Sequence, residues 1–179
     1  DDSKRLSPGR RESLFELIRE RAVAYAVARA SAAEIDTLNI LQASFLAMRR
    51  AVESLPVRAR HAIVDGKLRP QLTCPVQAVI KADSIFTEVA AASILAKVSR
   101  DREMVAMDAV YPAYGFAQHK GYPTRDHLDI LRRCGATPIH RRSFAPVREV
   151  LTGHRGGGEP DTSLPSGDES NGTRALPLG

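Results

Sequence analysis

His61-Ala62-Ile63-Val64-Asp65-Gly66 is a short apolar run that ends on a carboxylate and a turn. Gln77-Ala78-Val79-Ile80-Lys81-Ala82-Asp83 repeats the pattern a few residues later. Each run has the length and β-branched content of a buried strand, and each carries an aspartate at or just past its tip. Around them the sequence is helical. Ser7-Pro8 supplies a capping hydroxyl and a first-turn proline, and Leu14, Leu17 and Ile18 keep the helical period to about Arg21. Ser31 and Glu34 have capping-box spacing. After them Ile35, Leu38, Leu41, Phe45, Met48 and Val52 carry one apolar stripe to about Ser54, before Pro56. Thr87 to Val110 is alanine-rich and stops before Pro112, and Thr124 to Cys134 is capped by a threonine and closed by Gly135. Val23, Tyr25 and Val27 alternate with alanines and read as a further strand. Tyr111 to Pro123 reads as an ordered loop, and Pro138 to Val150 as a basic segment with a short helix at most. Helices alternating with strands predict an α/β fold, a sheet covered by helices.

The chain has 179 residues, enough for one domain and a tail. Apolar residues make up 43% and charged residues 26%, which excludes a wholly disordered chain. No apolar run approaches the roughly 18 residues of a membrane span. Two cysteines without CxxC spacing argue against a disulfide scaffold or a cysteine zinc site, so a reducing, cytoplasmic setting is expected; a monomer is expected as well. Aromatics are only 5%, which predicts an aliphatic core. Residues 153–179 are rich in Gly, Pro and Ser and hold two arginines against four acidic residues. They are expected to be a disordered tail beside a domain over 1–152. Because the whole chain is +5, the domain carries +7, a balance that suits a polyanionic partner.

Three groups of residues can carry chemistry. Asp65 and Asp83 end neighbouring strands, where ligands of α/β sheets gather. Two close carboxylates favour a cation between them, and hard oxygens favour Mg²⁺ or Mn²⁺. The plainer reading is a turn at Asp65-Gly66 and a helix cap at Asp83. Gln118-His119-Lys120-Gly121-Tyr122-Pro123-Thr124 bends into a helix N-terminus, where Lys120 can meet phosphate and Tyr122 a sugar. The alternative is a solvated loop anchored by Tyr122. His140-Arg141-Arg142-Ser143-Phe144 offers two arginines for phosphate contacts, or a structural ion pair. Lys97, Arg100, Asp101 and Arg102 read as surface pairing along the long helix.

Taken in order, the strings Asp2-Ser3-Lys4-Arg5-Leu6-Ser7, Glu34-Ile35-Asp36, Asn39-Ile40-Leu41-Gln42-Ala43, Val64-Asp65-Gly66 and Lys81-Ala82-Asp83 form the first part of a pattern. Ala91-Ala92-Ser93-Ile94-Leu95-Ala96-Lys97-Val98, Tyr114-Gly115-Phe116, His119-Lys120-Gly121-Tyr122 and Pro138-Ile139-His140-Arg141-Arg142-Ser143-Phe144 complete it. Over about residues 2–150 this resembles bacterial ribonuclease HII, the type 2 ribonuclease H. The resemblance implies a ribonuclease-H-like mixed sheet covered by helices. It implies hydrolysis of RNA in RNA–DNA hybrids, and cutting 5′ to ribonucleotides embedded in duplex DNA, leaving 5′-phosphomonoesters. It further implies four carboxylates holding Mg²⁺ or Mn²⁺, of which Asp65 and Asp83 match the third and fourth. Tyr122 matches the tyrosine that packs near the 2′-hydroxyl, and Lys4 a contact to the substrate backbone. The family opens with an Asp-Glu-x-Gly-Arg-Gly strand and turn that these residues do not contain. The chain is therefore expected to lack the first strands, two carboxylates and the glycine-rich loop, and on its own to be inactive. A non-catalytic basic nucleic-acid-binding module is the competing expectation. No GxxxxGK[ST] string or nucleophile elbow supports another phosphate-transfer enzyme.

Overall fold

The computed structural model describes residues 6–153. Among the described residues there are seven helices and two strands: α1 (Pro8–Arg21), α2 (Ala32–Leu38), α3 (Ile40–Glu53), β1 (Ala62–Asp65), β2 (Val76–Val79), α4 (Thr87–Val110), α5 (Phe116–His119), α6 (Arg125–Cys134) and α7 (Ala145–Gly153). The strands are parallel, with Ala62 opposite Val76 and Asp65 opposite Val79. Among the described residues this pair is the whole sheet, small and parallel. The chain is α/β, as its patterning predicts.

Helix α4 is the spine. Its first half packs Ile94, Leu95 and Val98 on Phe15 of α1, with Leu14 and Ile18 at the margin. Arg102 of α4 reaches back to Glu12 and Glu16 and lays its guanidinium 4.3 Å from the Phe15 ring centre. The second half buries Met104 against Tyr114 and Phe116, which stack with ring centres 5.3 Å apart. The Tyr114 hydroxyl donates to the Gly135 carbonyl at 2.7 Å and so ties the end of α6 to this core. The core is thus mostly aliphatic around Phe15 at one end of α4 and mostly aromatic at the other. A low aromatic percentage did not predict this, because Tyr111, Tyr114 and Phe116 are concentrated in one short loop.

Three elements differ from expectation. Residues 22–30 form no ladder; their exposure alternates, but the alanines face inward while Val23, Tyr25 and Val27 face out, with Val23 94% exposed. Period-two patterning describes how a segment presents its side chains, whereas a strand also needs a partner edge. The stripe from Ile35 to Val52 is two helices. Asn39, at φ 72°, stops α2 by donating its N–H to Ile35 and caps α3 by accepting from Leu41 and Gln42 through its carboxamide. Arg50 then clips the pair, placing Nη1 and Nη2 on the two oxygens of Glu34 at 3.0 and 2.6 Å. That guanidinium, with the Ser31 N–H, holds Glu34 at about 2. Finally, α7 runs to Gly153, one residue into the stretch assigned to the tail; residues 154–179 lie outside the described residues.

Candidate active site

β1 ends on Asp65, and Gly66 turns the chain away at φ 118°, a backbone angle that a side chain would strain. β2 leads into Lys81, itself left-handed at φ 58°, and then into a 3-10 turn, Ala82–Ser84. The Ala82 N–H donates to Asp65 Oδ1 at 2.9 Å. One hydrogen bond therefore fastens the carboxylate of the first strand tip to the turn that carries the second. Asp65 is exposed and Asp83 half-buried. Ala82 is fully buried, so position 82 demands a small side chain because of packing; the left-handed backbone falls on Lys81 instead. Two hard carboxylates on adjoining tips suit a hard divalent cation in chemistry and number only as part of a site. Among the described residues, no group of three or more His, Cys, Asp or Glu is arranged to hold a metal ion.

The Tyr122 loop follows α5. Lys120 and Gly121 are both left-handed, at φ 52° and 81°. They reverse the chain so that the Tyr122 N–H donates to the His119 carbonyl at 2.8 Å. The Tyr122 carbonyl accepts from the Thr124 N–H at 2.8 Å and from His127 Nδ1 at 2.9 Å. The backbone is thereby fixed on both sides while the side chain stays 54% exposed. Lys97 of α4 sits 5.2 Å from the Tyr122 ring centre, and its ammonium is paired with Asp101 at 2.7 Å. Both side chains of that pair are less than one-fifth exposed, so it is not the solvated surface pair that helical spacing suggested. Lys120 donates to the Ala117 carbonyl, a structural partner for a residue read as a phosphate contact.

Arg141 and Arg142 lie on a turn organised by Asp36 of α2. Asp36 accepts from the backbone N–H groups of Arg142 and Ser143, both at 2.8 Å, and from the Ser143 hydroxyl at 2.6 Å. Partial burial pushes the Asp36 carboxyl upward, but these hydrogen bonds and the Arg141 charge outweigh it and hold it below its ordinary value. Ser143 thus serves the turn. The Arg142 side chain is exposed, and Arg141 lies over the Phe144 ring. Lys4 lies outside the described residues.

The sequence profile described as Ribonuclease HII matches residues 1–147. The chain belongs to the ribonuclease HII family. Among solved structures, ribonuclease H2 from Pyrococcus horikoshii OT3 is similar at a TM-score of 0.72 and 28% identity, over 87% of this chain and 82% of that one. Ribonuclease HII of the PCNA:RNase HII complex from Archaeoglobus fulgidus is similar at 0.53 and 26%, over 79% and 75%. Membership of the ribonuclease HII family carries with it a type 2 ribonuclease H nuclease as the coarse activity. Among the described residues, no helix is long and apolar enough to cross a membrane.

Within this ribonuclease HII fold, sequence reading missed three contributors. Lys97 was hidden because i,i+4 spacing to Asp101 looks the same on a solvated and a buried face. Ala82 gave only a weak hint, its small size. His127 gave none, since an isolated histidine in an amphipathic helix carries no label; it is 4% exposed. Its Nε2 lies 3.2 Å from His140 Nε2, and its ring stacks on His119 at 4.1 Å. Burial pushes both His127 and His140 below their ordinary value, His140 to about 4; neighbouring rings add to this, and hydrogen bonds at Tyr122 and Thr137 oppose it. These histidines take up a proton more readily unfolded, near pH 6.5, than folded. Stability is therefore expected to be level above pH 7 and to fall as the pH drops from about 6.5 toward 4. Glu34 and Asp36 titrate below most of that window. Urea midpoints at pH 7.5 and 5.5 check this, and equal midpoints would refute it.

Proposed function

We propose that this ribonuclease HII family member hydrolyses the RNA strand of RNA–DNA hybrids and cuts 5′ to ribonucleotides embedded in duplex DNA. The observation that supports the proposal is the hydrogen bond from the Ala82 N–H to Asp65, which ties the Asp65 carboxylate to the turn that carries Asp83. Asp65 and Asp83 would hold Mg²⁺ or Mn²⁺ together with further carboxylates of the family's four. A divalent ion held there would supply Lewis-acid polarisation of water and of the leaving oxygen. The chain's own residues bind and orient. Tyr122 presents an exposed ring to the sugar, and Lys97 holds that ring from behind. Lys4, Lys120, Arg141 and Arg142 are the proposed contacts to phosphate. A monomeric, cytoplasmic enzyme completes the proposal.

A second reading, a basic module that binds nucleic acid without cutting it, is favoured for residues 1–179 alone by the two-carboxylate rim. Both readings need the cationic surface. Arg141→Ala with Arg142→Ala is expected to weaken binding to an RNA–DNA hybrid uniformly across sequences. The slope of log affinity against log salt should flatten by about one contact per arginine. Fluorescence anisotropy at several salt concentrations measures it. An unchanged slope would assign both arginines to the Asp36 turn and remove them from the substrate surface.

A further inference from the structure

Behind Tyr122, three histidines from three separate elements meet: His119 at the end of α5, His127 in α6 and His140 in the turn before α7. Their hydrogen bonds determine where each proton sits. His140 Nδ1 faces the Thr137 N–H at 3.1 Å, and an amide N–H only donates, so this nitrogen is bare. The Thr137 hydroxyl meets the same nitrogen at 2.8 Å. The proton of His140 is then on Nε2, which points at His127 Nε2 across 3.2 Å. His127 Nε2 must accept, which leaves its proton on Nδ1, aimed at the Tyr122 carbonyl 2.9 Å away. His119 follows the same rule. Its Nδ1 accepts from the Gly121 N–H at 3.1 Å, and its Nε2 donates to the Tyr114 carbonyl at 2.8 Å. Every ring nitrogen has at least one complementary partner.

A buried histidine needs its two nitrogens satisfied, and a single carbonyl and a single donor of any kind would do that. Here, instead, the chain of donors runs in one direction, from Thr137 through His140 and His127. It ends on the backbone of the one exposed aromatic in the loop. The stacked His119 ring bonds the next amide upstream, at Gly121. The α5–α6 junction has two left-handed residues, and any shift of its backbone would move the Tyr122 ring. A ring held on a rigid backbone loses less freedom on contacting a ligand than a mobile one.

We propose that His127 is a positioning residue: by donating Nδ1–H to the Tyr122 carbonyl under the constraint of His140, it sets where the Tyr122 ring meets the nucleic-acid sugar. The proposal rests on the reading of Tyr122 as a substrate contact. A double-mutant cycle on hybrid binding by residues 1–179 separates the two claims. Tyr122→Ala is expected to weaken binding about ten-fold, the scale of one lost base- or sugar-stacking aromatic. His127→Phe keeps a ring but no hydrogen bond and is expected to cost about five-fold, with an unchanged salt slope. In the Tyr122→Ala background the same change is expected to cost less than about two-fold. His127→Asn keeps a donor on the Nδ1 side and is expected to return affinity to within about two-fold of the unmodified protein. If Tyr122→Ala weakens binding but His127→Phe does not, or if the two effects add, the positioning role is overturned and the Tyr122 contact stands. If Tyr122→Ala changes nothing, the contact itself fails and the positioning role with it. Should His127→Phe not fold, long-range nitrogen–proton spectra of the unmodified protein decide the matter. Nδ1–H at His127 with Nε2–H at His140 and His119 is the expected pattern, and Nε2–H at His127 overturns the proposal.

Discussion

Asp65→Asn is expected to lower hybrid cleavage about a thousand-fold in a polypeptide that carries residues 1–179 behind the Asp-Glu-x-Gly-Arg-Gly segment of the family. Asparagine is close to isosteric with aspartate, and its carbonyl can still accept the Ala82 N–H, so the rim keeps its shape. What it loses is charge. A neutral amide holds a hard divalent cation far less well than a carboxylate. Lewis-acid stabilisation of a phosphoryl transition state amounts to several kcal/mol. Losing about 4 kcal/mol of it is about three decades in rate. Asp83→Asn is expected to do the same. Affinity for the hybrid should hold within about two-fold, because phosphate contacts by lysine and arginine dominate affinity. Single-turnover cleavage beside anisotropy reads both quantities. Equal losses of rate and affinity would mean that Asp65 binds substrate or maintains the fold.

The second large effect concerns ligand count. Residues 1–179, as a polypeptide on their own, are expected to leave an RNA–DNA hybrid uncut above background with either Mg²⁺ or Mn²⁺. In-line displacement with two ions requires them fixed about 3.5–4 Å apart. Two carboxylates leave the second ion weakly held and the attacking water unplaced. The same residues should still bind the hybrid. Joining the family's opening segment should bring cleavage up by several orders of magnitude, with no matching gain in affinity. Robust cutting by residues 1–179 that is lost on Asp65→Asn would show that two carboxylates suffice.

Much of this was legible in the chain because punctuation and chemistry fall together. Ser7-Pro8 and Thr124 with Gly135 bound two helices that appear over the expected residues, and α4 stops before Pro112, since caps and stops act locally. The placement of Asp65 and Asp83 at or just past strand tips was legible because each follows an apolar run too short to be a helix. What escaped depends on partners far away in sequence. Val23, Tyr25 and Val27 alternate as a strand does, yet pairing is a property of a second segment. Asn39 breaks a continuous apolar stripe by taking φ 72°, and nothing in the stripe's period marks that break. The Asp36 clasp on residues 142 and 143 closes a long loop, and the His127 contact to Tyr122, though only five residues apart, is set by His140 from another element. No local rule foresees them, although Asp36 and His140 both belong to strings that carried the family resemblance.

The central claim is that the chemistry of this protein belongs to the rim formed by Asp65 and Asp83. Titrating Mn²⁺ into isotopically labelled residues 1–179 and following paramagnetic broadening of the amide signals tests it most directly, without requiring turnover. Weak binding is expected, with broadening centred on Asp65, Gly66, Ala82 and Asp83 and abolished by Asp65→Asn. Broadening that centres elsewhere, or that survives unchanged in Asp65→Asn, would contradict it.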